Sequence, residues 1–325
     1  MIGNLEDFDL KYLKEFNTNV LRRTYEGGSE YIEPYVSLVL EDYTTHYNKL
    51  PMCKLKLSDS TVIKIEGSGA LTSAMTSQYS ATCVRAEIGE SCTSIGNSVF
   101  KNFTLLTNVR LGDDMTSIGD SAFTYCSGLT SISIPSGVTS IGNVAFSGCT
   151  KLASCTIPSN SQMTSIGSSA FCYCNSLASI NIPSGVTSIS AVAFYACRSL
   201  TSISVPSGVT SIKVATFRRC SGLTSCTIPT NSRMTSIGNS AFTSCEELTS
   251  INIPSGVTSI GNWAFRYCSS LNTMNVYPTT PPTLGTSALA NGSSARKIYV
   301  PSASLNAYKT AAGWSAFSSS ISAMT

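Results

Sequence analysis

Phenylalanine recurs at positions 100, 123, 146, 171, 194, 217, 242 and 265, at intervals of 23 or 25 residues. A period of this length marks a repeat architecture and constrains the fold more than any other property of the chain. A typical unit runs Leu129-Thr-Ser-Ile132-Ser-Ile134-Pro135-Ser-Gly137-Val138-Thr-Ser-Ile141-Gly142-Asn-Val-Ala145-Phe146-Ser-Gly-Cys149. Cysteine follows the phenylalanine by three residues at 126, 149, 174, 197, 220, 245 and 268, and Phe103 takes that place in the first unit. The two 25-residue intervals share one insertion, Pro158 to Met163 and Pro229 to Met234. Both of these units carry cysteine, Cys155 or Cys226, where others carry isoleucine. A block of three repeats was therefore duplicated as a unit.

The spacing dictates the local structure. In Leu-x-x-Ile-x-Ile the last two apolar positions alternate with period two and share one face of a strand. Pro-Ser-Gly then ends the strand and turns the chain. Val138 and Ile141 return to the interior, and Ala145 and Phe146 fill the far side. One coil cannot bury its own apolar edges, but stacked coils bury them together, which gives a solenoid. Nine strand units between Cys83 and Leu271, with Ile298-Tyr-Val300 as a tenth, predict about ten coils, stacked over about 45 Å at strand spacing.

A 23-residue Leu-x-x-Ile-x-Ile repeat ending in Ala-Phe-x-x-Cys resembles the BspA-like leucine-rich repeats of gut and oral bacteria. The likeness covers residues 82–301, and Thr-Pro-Pro-Thr-Leu284 and Ile298-Tyr-Val-Pro-Ser302 resemble that family's C-terminal end. It implies a β-rich leucine-rich-repeat solenoid of the α/β horseshoe-type class. For function it implies surface adhesion and recognition, with no single partner.

The ends of a solenoid need caps. Cys53 to Leu57 and Thr61 to Ile65 alternate around Ser58-Asp-Ser60, which predicts a hairpin. Leu71, Met75 and Tyr79 lie four apart, as on one helix face. Residues 51–81 thus read as a hairpin–helix N-cap, 82–301 as the solenoid and 302–325 as a C-terminal cap, with a closing helix over Leu305 to Phe317. Residues 1–50 read as a small α+β module, with a helical stripe from Leu5 to Val20 and a strand from Pro34 to Leu40. It is either a capping subdomain or an attachment module that docks the protein on a larger assembly. Residues 16–48 resemble leader segments of gut-phage virion proteins. The N-terminus lacks the basic and apolar regions of a secretory signal peptide, and no apolar run is long enough to predict membrane insertion. Two placements compete, a phage virion or tail-associated protein and a bacterial cell-surface adhesin.

Composition narrows the chemistry. Charged residues are only 12% of the chain, while 56 Ser and 36 Thr supply its polarity. Residues 1–114 carry 15 of the 18 acids, and the rest of the chain has only Asp120, Glu246 and Glu247. With one histidine, His46, and two adjacent glutamates, neither a triad nor a pair of carboxylates flanking a substrate is expected, so the reading is non-enzymatic. A net charge of +3 is too small to predict nucleic acid. The 13 cysteines are odd in number. Three residues after an inward Phe they should face the interior as small apolar groups, and Cys172-Tyr-Cys174 lacks the four clustered ligands of a zinc site. No metal or cofactor is expected.

The candidate ligand-binding residues are the outward strand positions. Ser131, Ser133, Thr156, Asn181, Ser204, Thr227, Asn252 and Asn275 should line a long neutral hydroxyl and amide sheet, either a solubilising face or a hydrogen-bonding surface for a protein or surface glycan of a host cell. Tyr125, Tyr173, Tyr195 and Tyr267 fall after the phenylalanines on another edge, with Arg198, Arg218, Arg219 and Arg266. That edge is expected to carry a basic–aromatic patch.

Overall fold

The computed structural model describes residues 51–324, and the expected module at 1–50, with His46, lies outside the described residues. From Cys83 onward each coil makes two short parallel strands. The first series runs from Cys83–Ile88 through Asn108–Arg110, Ser131–Ser133, Ser154–Thr156 and Ser179–Ile180, then Ser202–Ser204, Ser225–Thr227, Ser250–Ile253, Thr273–Val276, Lys297–Val300 and Ile321–Ala323. The second series begins at Gly69–Leu71 and ends at Thr283–Leu284. Equivalent residues pair in register, as Ser131 with Ser154 and Ser154 with Ser179, so like stacks on like.

The repeat's apolar rows form one continuous core. Every ladder phenylalanine is fully buried, and successive rings stack at centroid distances of 5.1 to 5.6 Å. All 13 cysteines are free and buried. The seven ladder thiols do more than fill space. Each donates to the phenylalanine carbonyl of the coil before it, as Cys149 Sγ to Phe123 O and Cys174 Sγ to Phe146 O, both at 3.1 Å. Each of these carbonyls also accepts the backbone N–H three residues on, as Phe146 O from Cys149 N at 3.1 Å, so the thiol adds a second, cross-coil bond to an acceptor already paired. Threonine hydroxyls before the strands act similarly at the surface, as Thr224 Oγ1 to Thr201 O at 2.9 Å.

The third side of each coil is neither helix nor ordinary strand. Residues two before and two after each ladder Phe have positive φ, including Val144 (58°), Val192 (62°) and Trp263 (57°). This left-handed backbone is unfavourable for branched side chains. It is held by a ladder to the next coil, in which Val144 N, Phe146 N and Gly148 N donate to Ser168 O, Ala170 O and Cys172 O at 2.8, 2.7 and 2.8 Å.

The ends are closed by different devices. Strands β1 (Cys53–Leu57) and β2 (Val62–Ile65) form the expected hairpin, and β1 pairs antiparallel with Cys83–Ile88, reversing strand direction at that edge. A short helix, α1 (Ser73–Thr76), follows, and its Thr76 hydroxyl donates to Val99 O. At the other end the helix expected over 305–317 stops early. Helix α2 spans only Leu305–Thr310, because Ala311 is extended and Gly313 has a φ of +80°. The chain then returns as Ile321–Ala323, which pairs parallel with Lys297–Val300 and adds a coil beyond the ten expected. Trp314 and Tyr308 pack edge-to-face under this turn, their N–H and O–H donating to Pro282 O and Pro278 O, both at 2.7 Å.

Candidate recognition surface

Coil spacing is set by a glycine after the second strand. A Cβ on Gly142 would lie 2.5 Å from Gly119 C and 2.6 Å from Asp120 N, and a Cβ on Gly167 2.6 Å from Gly142 C. Only glycine lets the backbones approach this closely. The next residue reinforces the contact. Asn97 Oδ1 accepts from Asp120 N (2.8 Å), Asp120 Oδ1 from Asn143 N (2.6 Å) and Asn143 Oδ1 from Ser168 N (2.8 Å). The same zipper resumes at Asn239, Asn262 and Thr286.

Between these two stretches the rule is broken. Ser190-Ala191 and Lys213-Val214 stand where other coils have glycine followed by Asn, Asp, Ser or Thr. Ser190 keeps the coil contact, its N donating to Ile166 O at 3.0 Å, and the coils separate at the next step, where Lys213 replaces glycine. Both strand series end here and restart, at Ser179–Ile180 and Ser202–Ser204 on one side and at Ser188–Ile189 and Ser211–Ile212 on the other. Among the described residues, Thr210 N and Lys213 N lack the cross-coil bonds that Thr235 N and Gly238 N make to Thr210 O and Ile212 O. The Phe spacing reaches its largest values, 5.5 and 5.6 Å, at the 171–194 and 194–217 steps. The third-side ladder stays closed, with Val192 N, Phe194 N and Ala196 N donating across at 2.9, 2.9 and 2.8 Å. Thr201 N still donates to Ala178 O at 3.1 Å where the first strand begins, and beyond it the coils open on the sheet sides about the phenylalanine edge. An open depression of about 410 Å³ lies at the opening, lined by Asn181, Ile182, Pro183, Ser204, Val205 and Pro206 among others.

This changes the expected long sheet. Ser131, Ser133 and Thr156 stand in one block and Ser204, Thr227, Asn252 and Asn275 in a second, with Asn181 at the lip of the depression. The face is thus two sheets, separated at the step where Lys213 replaces glycine. Ser133, Thr156, Asn181, Ser204 and Thr227 are exposed, whereas Ser131, Asn252 and Asn275 are half-buried. Asn275 Nδ2 donates to Asn252 Oδ1 at 2.8 Å. The other six side chains have no hydrogen-bond partner among the described residues, in contrast to the threonine hydroxyls consumed by the cross-coil ladder. The prolines and Ile182 of the depression escape sequence reading. Their signal was the loss of glycine at 213, which acquires meaning only through the Cβ distances.

The phenylalanine edge gathers the basic–aromatic residues unevenly. Tyr173 is exposed and packs edge-to-face on Tyr195, with centroids 5.3 Å apart. The Tyr195 hydroxyl, hydrogen-bonded to it, holds the Tyr173 phenol above its ordinary pKa. The Arg218 and Arg219 guanidinium groups both lie 5.9 Å from the Tyr195 centroid, within cation–π range. Tyr125 leans over Gly148, where a side chain would strike its ring. Arg266 and Tyr267 form a separate pair, 4.6 Å from guanidinium carbon to ring centroid.

A family model described as BspA type leucine rich repeat region, in six copies, matches residues 77–201 and 187–322. Among solved structures, a leucine-rich repeat protein of T. pallidum is 24% identical over 67% of this chain and 84% of its own, with a TM-score of 0.41. A leucine-rich cell surface protein of Faecalibacterium prausnitzii is 23% identical, covering 78% and 88%, with a TM-score of 0.35. The pneumococcal vaccine antigen PcpA is 16% identical, covering 84% and 86%, with a TM-score of 0.35. No curated protein matches the chain.

Proposed function

The chain belongs to the BspA-type leucine-rich repeat family, and from that premise we propose that it is a non-enzymatic recognition or adhesion protein displayed on an exterior surface. The observation that carries this reading is the row of uncharged side chains whose hydrogen-bonding capacity the fold leaves unused. Ser131, Ser133, Thr156, Asn181, Ser204 and Thr227 point outward in register on a scaffold whose core is built elsewhere. Such a face offers donors and acceptors to a protein or surface glycan of a host cell without the desolvation cost of burying charge. No helix among the described residues is long and apolar enough to cross a membrane.

The placement we favour is the exterior of a phage virion, with residues 1–50 as the attachment module, supported by the resemblance of residues 16–48 to virion leader segments. The alternative is a bacterial cell-surface adhesin, supported by the family itself. Mass spectrometry of purified virions separates them, because absence from particles removes the first. Signal or sorting sequence in the full gene supports the second. Recognition is tested by host-cell binding of the full chain beside a Thr156→Val/Thr227→Val variant. Saturable binding weakened by that variant is expected, and no binding at high micromolar concentration leaves only an architectural role.

A further inference from the structure

The phenylalanine edge carries a feature that the hydroxyl face lacks. Two guanidinium groups, Arg218 and Arg219, are held against a single Tyr195 ring. Arg218 Nε is buried without a hydrogen-bond partner among the described residues. The ion pair of the described residues is Arg85 with Glu87, far along the chain, so no carboxylate offsets these two charges. The next carboxylates, Glu246 and Glu247, stand one coil on, where Glu247 N donates to Ser221 O, and neither forms an ion pair with them. Residues 121–245 contain no Asp or Glu and six bases. Two guanidinium groups within reach of one ring, with no ion-pair partner among the described residues, leave N–H donors for an anion. Beside them Tyr173 and Tyr195 form a fixed aromatic corner, and Tyr125 extends the exposed aromatic surface toward the N-terminal coils.

We propose that this edge, centred on Tyr173, Tyr195, Arg218 and Arg219, binds an acidic sugar, with a pyranose face on the tyrosine rings and its carboxylate on the paired arginines. The proposal rests on the exterior recognition role above and deepens it, adding to the hydroxyl rows a second contact on a separate edge. Three observations select the sugar over other anions. The cations of this edge fall irregularly, Arg198 one coil before the pair and Arg266 two coils after it with Thr243 and Ser244 between, so a chain of regularly spaced phosphates is not matched coil by coil. An added peptide strand finds no free backbone edge, because the N–H groups on this side already bond the next coil. A sugar carboxylate needs one anion clamp beside one ring platform, and tyrosine and arginine supply both.

The test is calorimetric titration of the full chain with 3′-sialyllactose and with trigalacturonic acid. Lactose, an octaglutamate peptide and oligo-dT of twelve nucleotides serve as comparators. The variants borrow residues that the repeat already uses at the same positions: Tyr173→Ser, as at Ser244, and Arg218→Thr/Arg219→Ser, as at Thr243 and Ser244. Folding of each is verified by circular dichroism and thermal melting. The expected result is saturable binding of at least one acidic sugar and none of lactose, weakened tenfold or more by either variant and unchanged in Thr156→Val/Thr227→Val. Binding of neither acidic sugar, binding indifferent to both edge variants, or equal binding of octaglutamate or oligo-dT overturns the proposal. Cell binding that persists without acidic-sugar binding overturns this site alone, whereas loss of all cell binding overturns the recognition role.

Discussion

Coils built on Gly142 and Asn143 and coils built on Ser190 and Lys213 stack the same core at different spacings, and the contrast shows what sets the pitch of this solenoid. The phenylalanine stack runs through both regions and tolerates 5.1 to 5.6 Å. It fills the interior but does not fix the rise. The rise is fixed at the surface, by a missing Cβ and by an Asx side chain that caps the next backbone N–H. Where both are lost, at Lys213-Val214, the sheet sides open and the left-handed ladder remains as a hinge line. The arginine pair and the aromatic corner lie on that line, beside the coils that most depart from the repeat. Local departures from a consistent pattern are where function is expected to reside.

The largest effect should come from breaking both regions together in alkali. Burial pushes the thiols of Cys155, Cys226 and Cys268 up to about 12 from an ordinary 9.0. The folded state thus favours the neutral thiol. The stability this contributes is complete below pH 9 and is lost as pH rises through 12, at about 1.4 kcal/mol for each unit of raised pKa. Thermal melts should therefore be flat in this respect below pH 9 and fall steeply above it. A melting temperature constant to pH 11 would contradict the buried protonated ladder.

Next in size are the phenylalanines. Phe146→Ala in a tight coil should cost about 3–5 kcal/mol in urea unfolding, with Phe194→Ala toward the lower end because looser neighbours relax into the cavity. Equal costs would remove the packing difference between the regions, and a loss below about 1 kcal/mol at either site would contradict its place in the core. Exchanging the rung residues tests the spacing itself. Gly142→Lys forces a Cβ against Gly119 and should cost about 1–3 kcal/mol, whereas Lys213→Gly should stay within about 1 kcal/mol, recovered cross-coil bonds offsetting the entropy of glycine. Smaller again is the thiol bond. Cys174→Val removes the Sγ donor but leaves Phe146 O its bond from Cys149 N, so it should cost at most about 1 kcal/mol more than Cys174→Ser, which keeps a donor. Reversal of that order would assign the cysteine a purely apolar role.

Much of this was legible in the spacing. The period placed Phe, Ile, Leu and Cys in the interior, paired equivalent strand positions, and set the tyrosines and arginines on a separate edge. Three things were not legible, each for a physical reason. The left-handed positions carry Ser, Val, Tyr, Arg and Trp instead of the glycine or asparagine that advertises positive φ, because the ladder to the next coil holds them there. The thiol donors find their acceptors a coil away, across a separation that local pattern cannot reveal. The tail reads as one helix by its apolar spacing, but Gly313 breaks it and frees Ile321 to pair as a strand. Five of the eight candidate hydroxyl and amide positions are exposed as the alternation predicts, yet the continuity of their rows depends on Lys213, which belongs to neither.

Amide hydrogen exchange tests the central contrast most directly. Gly142, Thr164 and Gly167 donate cross-coil bonds, whereas Thr210 and Lys213 do not. Thr210 and Lys213 should exchange much faster than those three, while Val192, Phe194 and Ala196 on the closed edge of the same step stay protected. Uniform protection at all eight amides would show that the coils stack evenly and that the missing glycines do not open the solenoid.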